Sequence, residues 1–177
     1  MATTYTLINS NVLSSSAASV TFSSIPATYT DLVLRISART DAGVNNDNFR
    51  ITFNSDSGSN YSITRITGNG STAVSNRLSN QTAGRAGAID GGTATASTFG
   101  SVEMYIPSYL VSANKPYSST AASEQNATAA QIDAIAGLWR NTAAITSITI
   151  ESNNLNVPTD GYIVSGSSFY LYGISSS

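Results

Sequence analysis

Histidine and cysteine are both missing from these 177 residues. Their absence removes the commonest general base, the commonest zinc ligand and every thiolate site at once. The groups left for chemistry are ten carboxylates, seven arginines and a single lysine, Lys115. Asn54-Ser-Asp-Ser-Gly-Ser-Asn60 spaces oxygen atoms around a glycine, as calcium loops do, but lacks their closing bidentate glutamate. It reads as a polar hairpin loop. Gly68-Asn-Gly-Ser-Thr72 has the glycines of a phosphate cradle without the lysine or the helix that one needs, so it reads as a turn. Asn69-Gly-Ser71, Asn80-Gln-Thr82 and Asn126-Ala-Thr128 have the glycosylation pattern, which carries meaning only in a secreted eukaryotic protein. Trp139-Arg140 combines two residue types that anchor interfaces. Tyrosine is dense in the second half, at 105, 109, 117, 162, 170 and 172, and its apolar ring with a polar tip suits a surface covered by a neighbour. Tyr109, Tyr117, Trp139 and Arg140 are therefore the candidate partner-contact residues. A core tryptophan beside a solvated arginine, with tyrosines as ordinary strand residues, fits the same letters.

Two segments bear on catalysis. Ser101-Val-Glu-Met-Tyr-Ile106 and Thr159-Asp-Gly-Tyr-Ile-Val-Ser-Gly-Ser-Ser168 resemble the carboxylate-bearing strands of jelly-roll xylanases. That resemblance implies Glu103 as nucleophile and Asp160 as general acid, the paired carboxylates of a retaining glycosidase. The acid of that family is normally glutamate, and its sugar cleft is paved with tryptophan and tyrosine. Here there is one tryptophan, and the aromatics near the N-terminus are Tyr5, Phe22 and Tyr29. The expectation is a chain that is not an enzyme and needs no cofactor.

The elements that position these residues read as strands. Alternation of apolar and polar side chains marks Thr4 to Asn9, Ser19 to Phe22, Asp31 to Ala38, Phe49 to Asn54, Tyr61 to Thr67, Ser101 to Ile106, Ala144 to Glu151 and Ser168 to Ile174. Weaker strands cover Ala73 to Leu78 and Arg85 to Ile89. Ala127 to Ala136 is the one stretch that could be a helix, and the glycine-rich run Thr82 to Gly92 reads as a long loop or an irregular strand. Some ten short strands with turns between them predict an all-β, jelly-roll-like antiparallel sandwich. No domain boundary interrupts residues 1–177, so one domain is expected.

Composition excludes several classes of function. Charged residues make up 10% and the net charge is −2, so seven arginines and one lysine spread along the chain offer no basic patch for nucleic acid. Met1 to Tyr5 lacks the charged and apolar regions of a signal peptide, and no apolar run reaches the ~18 residues of a membrane span. No small-molecule substrate is indicated.

At Ser23-Ser-Ile-Pro-Ala-Thr-Tyr-Thr-Asp-Leu-Val-Leu-Arg-Ile-Ser-Ala-Arg39, an Ile-Pro-x-x-Tyr-x-Asp-Leu entry leads into an apolar strand. Lys115-Pro116 lies in the middle of the chain, and Ile145-Thr-Ser-Ile-Thr-Ile150 and Ser165-Gly-Ser-Ser-Phe-Tyr-Leu-Tyr-Gly-Ile174 close it. These pieces resemble small β-sandwich structural proteins of tailed bacteriophages. The resemblance implies a virion protein that decorates the capsid or contributes to the tail. A first strand at about Thr4, with no heptads or repeats ahead of it, favours capsid decoration over a tail fibre that recognises a host glycan. The partners expected are then the major capsid protein and copies of the chain itself, as a trimer before a dimer.

Overall fold

The computed structural model describes residues 4–126, 129–154 and 161–175. Twelve strands run through them: β1 Tyr5–Val12, β2 Ser19–Phe22, β3 Asp31–Ala38, β4 Asn46–Phe53, β5 Tyr61–Gly68, β6 Ala73–Gln81, β7 Gly84–Asp90, β8 Gly100–Ile106, β9 Lys115–Ser123, β10 Gln131–Trp139, β11 Ile148–Ser152 and β12 Ser168–Ile174. They form two antiparallel sheets, an eight-stranded one in the order β1-β12-β3-β8-β9-β10-β5-β6 and a four-stranded one in the order β2-β11-β4-β7. The chain is an all-β sandwich, as its alternation predicts, and no helix occurs among the described residues.

Period-2 alternation explains why these segments are strands. In β4, Phe49, Ile51 and Phe53 are buried while the residues between them are partly exposed, and β8 and β9 alternate in the same way. Leu32, Leu34, Ile36, Met104, Phe169 and Leu171 from the wide sheet meet Phe22, Phe49, Ile51, Phe53, Ile148 and Ile150 from the narrow one in a single core cluster. Each such side chain contributes about 1.5–3 kcal/mol by leaving water. Phe53 sits among Trp139, Tyr117 and Tyr61 at centroid distances of 5.6, 5.9 and 6.3 Å. The Tyr117 ring lies across Gly137, where an added Cβ would come within 1.9 Å of it.

Two local expectations are corrected and a third is narrowed. The segment read as a possible helix, Ala127 to Ala136, contributes its described part from residue 131 onward to β10. Its inward row is Asp133, Ile135, Gly137 and Trp139, which is not an apolar alternation, and its outward row carries Ile132 and two alanines. Of the two readings of Thr82 to Gly92, the irregular strand is the one that forms: the strand expected at Arg85 to Ile89 is β7, with a register shift against β4 and six of its seven residues buried. Asn54 to Asn60 is not a hairpin loop, because β4 belongs to the narrow sheet and β5 to the wide one. It is a corner between the sheets, with Asn54 and Ser55 at positive φ.

The packing of β7 explains its composition. It is an edge of the narrow sheet, so one side of its backbone has no strand to bond. Side chains of β9 and β10 supply the partners. The Arg85 amide donates to the Tyr117 hydroxyl at 3.0 Å, Ser119 Oγ donates to the Ala86 carbonyl at 2.5 Å, and the Ala88 amide donates to Asp133 Oδ2 at 3.0 Å. Close approach requires small residues on both sides: a Cβ on Gly87 would meet that of Ala121 at 2.3 Å. Asp133, 1% exposed, also accepts from Thr67 Oγ1 at 2.6 Å and from Gln131 Nε2.

Asp133→Ala leaves the Ala88 amide and the Thr67 hydroxyl without their acceptor. It is expected to cost about 1–3 kcal/mol for each group left unsatisfied. The outward-facing neighbour substitution Ala134→Ser should change stability by less than about 0.5 kcal/mol. Urea unfolding of the two variants measures the difference.

Candidate functional site

The outward face of the wide sheet follows from register, since cross-strand partners share a face. Across the middle of the sheet it reads Tyr170 on β12, Arg35 on β3, Glu103 on β8, Thr120 on β9, Ala134 on β10 and Ile66 on β5. One row further along come Tyr172, Val33, Tyr105, Ser118 and Ala136. Two apolar regions therefore flank a strip of small side chains.

On one flank Tyr5 packs edge-on against Tyr172 at 6.4 Å, and Arg35 lies over the Tyr172 ring at 5.9 Å. Val33 is buried beneath these tyrosines although it faces outward. Tyr105 is 39% exposed and donates to Asp31 Oδ2 at 2.9 Å, a bond that holds its phenol pKa above the ordinary value. On the other flank Ile132 and Ile66 are 63% and 57% exposed. A groove of about 540 Å³ runs between the flanks, lined by Arg35, Ser101, Glu103, Thr120, Ala122 and Ile132. Arg35 Nε and Glu103 Oε2 stand 2.8 Å apart, each side chain 54% exposed. A pair so exposed contributes little to stability, but it neutralises itself on the surface. Asp31 on β3 and Arg77 on β6 add one charge of each sign to this face.

The residues marked for a partner interface divide. Trp139 and Tyr109 are fully buried and Tyr117 is 3% exposed. Large rings bury more area in the core than on the rim, and their polar tips find internal partners. Trp139 Nε1 donates to Asp56 Oδ2 at 2.7 Å, Tyr109 donates to the Pro26 carbonyl, and Tyr117 accepts from the Arg85 amide. Within the single chain these three present no surface. Arg140 is exposed and donates to Asn80 Oδ1 at 2.8 Å and to the Ser59 carbonyl. Glu103 faces solvent beside Arg35, and Asp160 lies outside the described residues. Lys115 is buried, its Nζ donating to the carbonyls of Val111 and Ala113 at 2.6 Å each.

The oxygen-rich loop from Asn54 to Asn60 turns its ligand atoms inward. Asn54 Oδ1 accepts from the amides of Thr146 and Ser147, and Asp56 accepts from Trp139, Asn60 and the Gly58 amide. No group of three or more carboxylates able to hold a metal ion occurs among the described residues. The arginines, scattered in sequence, are not scattered in space: Arg50, Arg65 and Arg85 converge where the two sheets meet. The groove residues Ser101, Thr120, Ala122, Ile132 and Ala134 were legible only as the outward alternation of β8, β9 and β10, two of which escaped the sequence reading.

Desolvation alone would raise the Asp56 pKa, but its bonds from Trp139, Asn60, Gly58 and Asn141 outweigh that and hold it below the ordinary value. A carboxylate with a depressed folded pKa stabilises fully above its unfolded pKa of about 3.9 and loses that contribution as pH falls through the folded value. Wild-type chain is expected to lose stability on acidification below about pH 4, and the gap to Asp56→Asn should narrow over the same range. Urea unfolding at a series of pH values checks it. A gap independent of pH contradicts this role for Asp56.

No family model, no curated protein and no solved structure matches this chain.

Proposed function

We propose that the chain is a structural protein of a tailed-phage virion. In this reading it has no catalytic activity and decorates the capsid, docking through the outward face of the eight-stranded sheet. The observation that carries the docking surface is the make-up of that face. It combines exposed tyrosine and isoleucine, a strip of hydroxyl and methyl side chains, and few charges: one ion pair closed on itself, Asp31 bonded to Tyr105, and Arg77 on the edge strand β6. Depletion of charge with aromatic enrichment is what the buried centre of a protein interface requires. The virion assignment rests on the sequence resemblance carried by Ile25-Pro26, Lys115-Pro116 and the final strand. The partners are the capsid subunit and further copies of this chain, with a trimer as the first expectation and a dimer as the second.

A tail module that recognises a host glycan is the second reading. It is favoured by the groove beside Arg35 and Glu103, with Tyr105 and Tyr172 on the same flank, since planar polar groups beside aromatic rings suit a sugar. Hydrolysis by Glu103 is the least supported reading, because its carboxylate is engaged with Arg35.

A mostly uncharged interface resists salt. At 1 M the Debye length shrinks to ~3 Å, which removes attraction between exposed charges and leaves apolar burial in place. Purified particles are expected to keep hundreds of copies of the protein through such a wash. A deletion phage should lose heat resistance of the head while adsorbing normally to its host. Normal head stability with lost adsorption transfers the assignment to the glycan-binding reading. Cleavage of a polysaccharide by wild type but not by Glu103→Gln overturns the non-enzymatic reading.

A further inference from the structure

The wide sheet overhangs the narrow one at its β5–β6 end. There the inward row of the overhang is Ile63 with Leu78 and Arg65 with Asn76, paired across the two strands. Opposite them stand the partly exposed residues Asn48 and Arg50 of β4 and Arg85 of β7. Two adjoining hollows of about 180 Å³ each, sharing Arg85 and Asn153, occupy the angle between the sheets.

The charges in this cleft are unbalanced. Arg50 and Arg85 are direct cross-strand partners, and like charges so placed destabilise a sheet. Arg65 completes a group of three guanidinium groups. Two carboxylates oppose them. Glu151 Oε1 lies 2.8 Å from Arg50 Nε. Asp47 is buried and already bonded by Thr40, Ser152, Asn154 and the Asn48 amide. Among the described residues Arg65 donates only to the neutral Asn48 Oδ1, at 3.3 Å. Among the described residues no hydrogen bond or ion pair takes up the Arg85 guanidinium. Burial first, and then the charges of Arg65 and Arg50, push its pKa down, against Tyr117 and Asp47.

We propose that this cleft binds a small tetrahedral oxyanion, phosphate or sulfate, held by Arg85 and Arg65 with amide donors from Asn76 and Asn153. Guanidinium forks match such oxygens in pairs, and an anion relieves the Arg50–Arg85 repulsion. Each hollow falls below the ~300 Å³ at which pockets for drug-sized ligands begin, so the size suits one compact anion rather than a nucleotide.

The test follows arginine Nε–H resonances of the full chain during titration with inorganic phosphate, ionic strength held constant with chloride. Saturable shifts of the Arg85 and Arg65 signals are expected, with a Kd of about 1 mM. Arg85→Gln should stay folded, because it removes a like-charge contact, and should bind about tenfold more weakly, the loss of one charge-assisted bond. Glu151→Gln, which frees Arg50, should bind more tightly. Absence of a saturable shift in wild type overturns the site, as does unchanged affinity in Arg85→Gln or weaker binding in Glu151→Gln. Should Arg85→Gln not fold, the wild-type shifts and the direction of the Glu151→Gln change decide the matter by themselves.

Discussion

Strand β7 has a neighbouring strand on one side only, and its other edge is closed by side chains from the opposite sheet and, at Asp90, by a backbone bridge to Arg39. Tyr117, Ser119 and Asp133 bond the Arg85 amide, the Ala86 carbonyl and the Ala88 amide. A buried backbone group left unpaired costs about 1–3 kcal/mol, so these three bonds allow the narrow sheet to end at four strands without a penalty at that edge. They also fix the distance between the sheets. Side chains bridge where a ladder would otherwise run, so the facing residues must be small. A Cβ on Gly87 would meet Ala121, and one on Gly84 would meet the Tyr117 hydroxyl.

Ending one sheet at four strands leaves the other only half covered, and both candidate functional surfaces follow from that mismatch. Behind the covered centre, the outward face of β3, β8, β9 and β10 is backed by the core beneath it. At the uncovered β5–β6 end, inward positions that would hold core residues in a fully capped sheet carry Arg65 and Asn76 instead. The chain thus places apolar groups and hydroxyls on its broad outer face and gathers arginine into the angle between sheets. A net charge near zero conceals that separation.

Legibility in the sequence tracked how far local alternation reported burial. β2, β3 and β12 were read to the residue because every inward position is apolar: Val20 and Phe22, then Leu32, Leu34 and Ile36, then Phe169 and Leu171. β9 escaped because its inward row runs Lys115, Tyr117, Ser119, Ala121 and Ser123. Lys115, Tyr117, Ser119 and Ser123 answer to the carbonyls of Val111 and Ala113, to the backbone of β7 and to the side chains of Asn46 and Asp90, partners distant in sequence or hidden in loops. β10 was misread for the same reason at Asp133 and Gly137. Turn chemistry located the loop from Asn54 to Asn60, but no local signal says whether a turn joins neighbours or crosses to another sheet. Trp139 looked like an interface anchor because a residue type does not carry its own burial. The arginines at 50, 65 and 85 sit on three strands and meet only in three dimensions.

The central claim is that the wide sheet's outer face, not the narrow sheet's, makes the functional contact. Under the proposed capsid role, the most direct measurement is binding of purified variants to capsids that lack the protein, with circular dichroism confirming the fold. Thr120→Arg and Ala134→Glu place charge in the middle of the proposed face, whereas Thr21→Arg and Thr149→Glu place it on the narrow sheet. The account predicts that the first pair lose binding by tenfold or more, about 1.4 kcal/mol, and that the second pair bind as wild type. Loss confined to the narrow-sheet variants, or equal loss in all four, contradicts it.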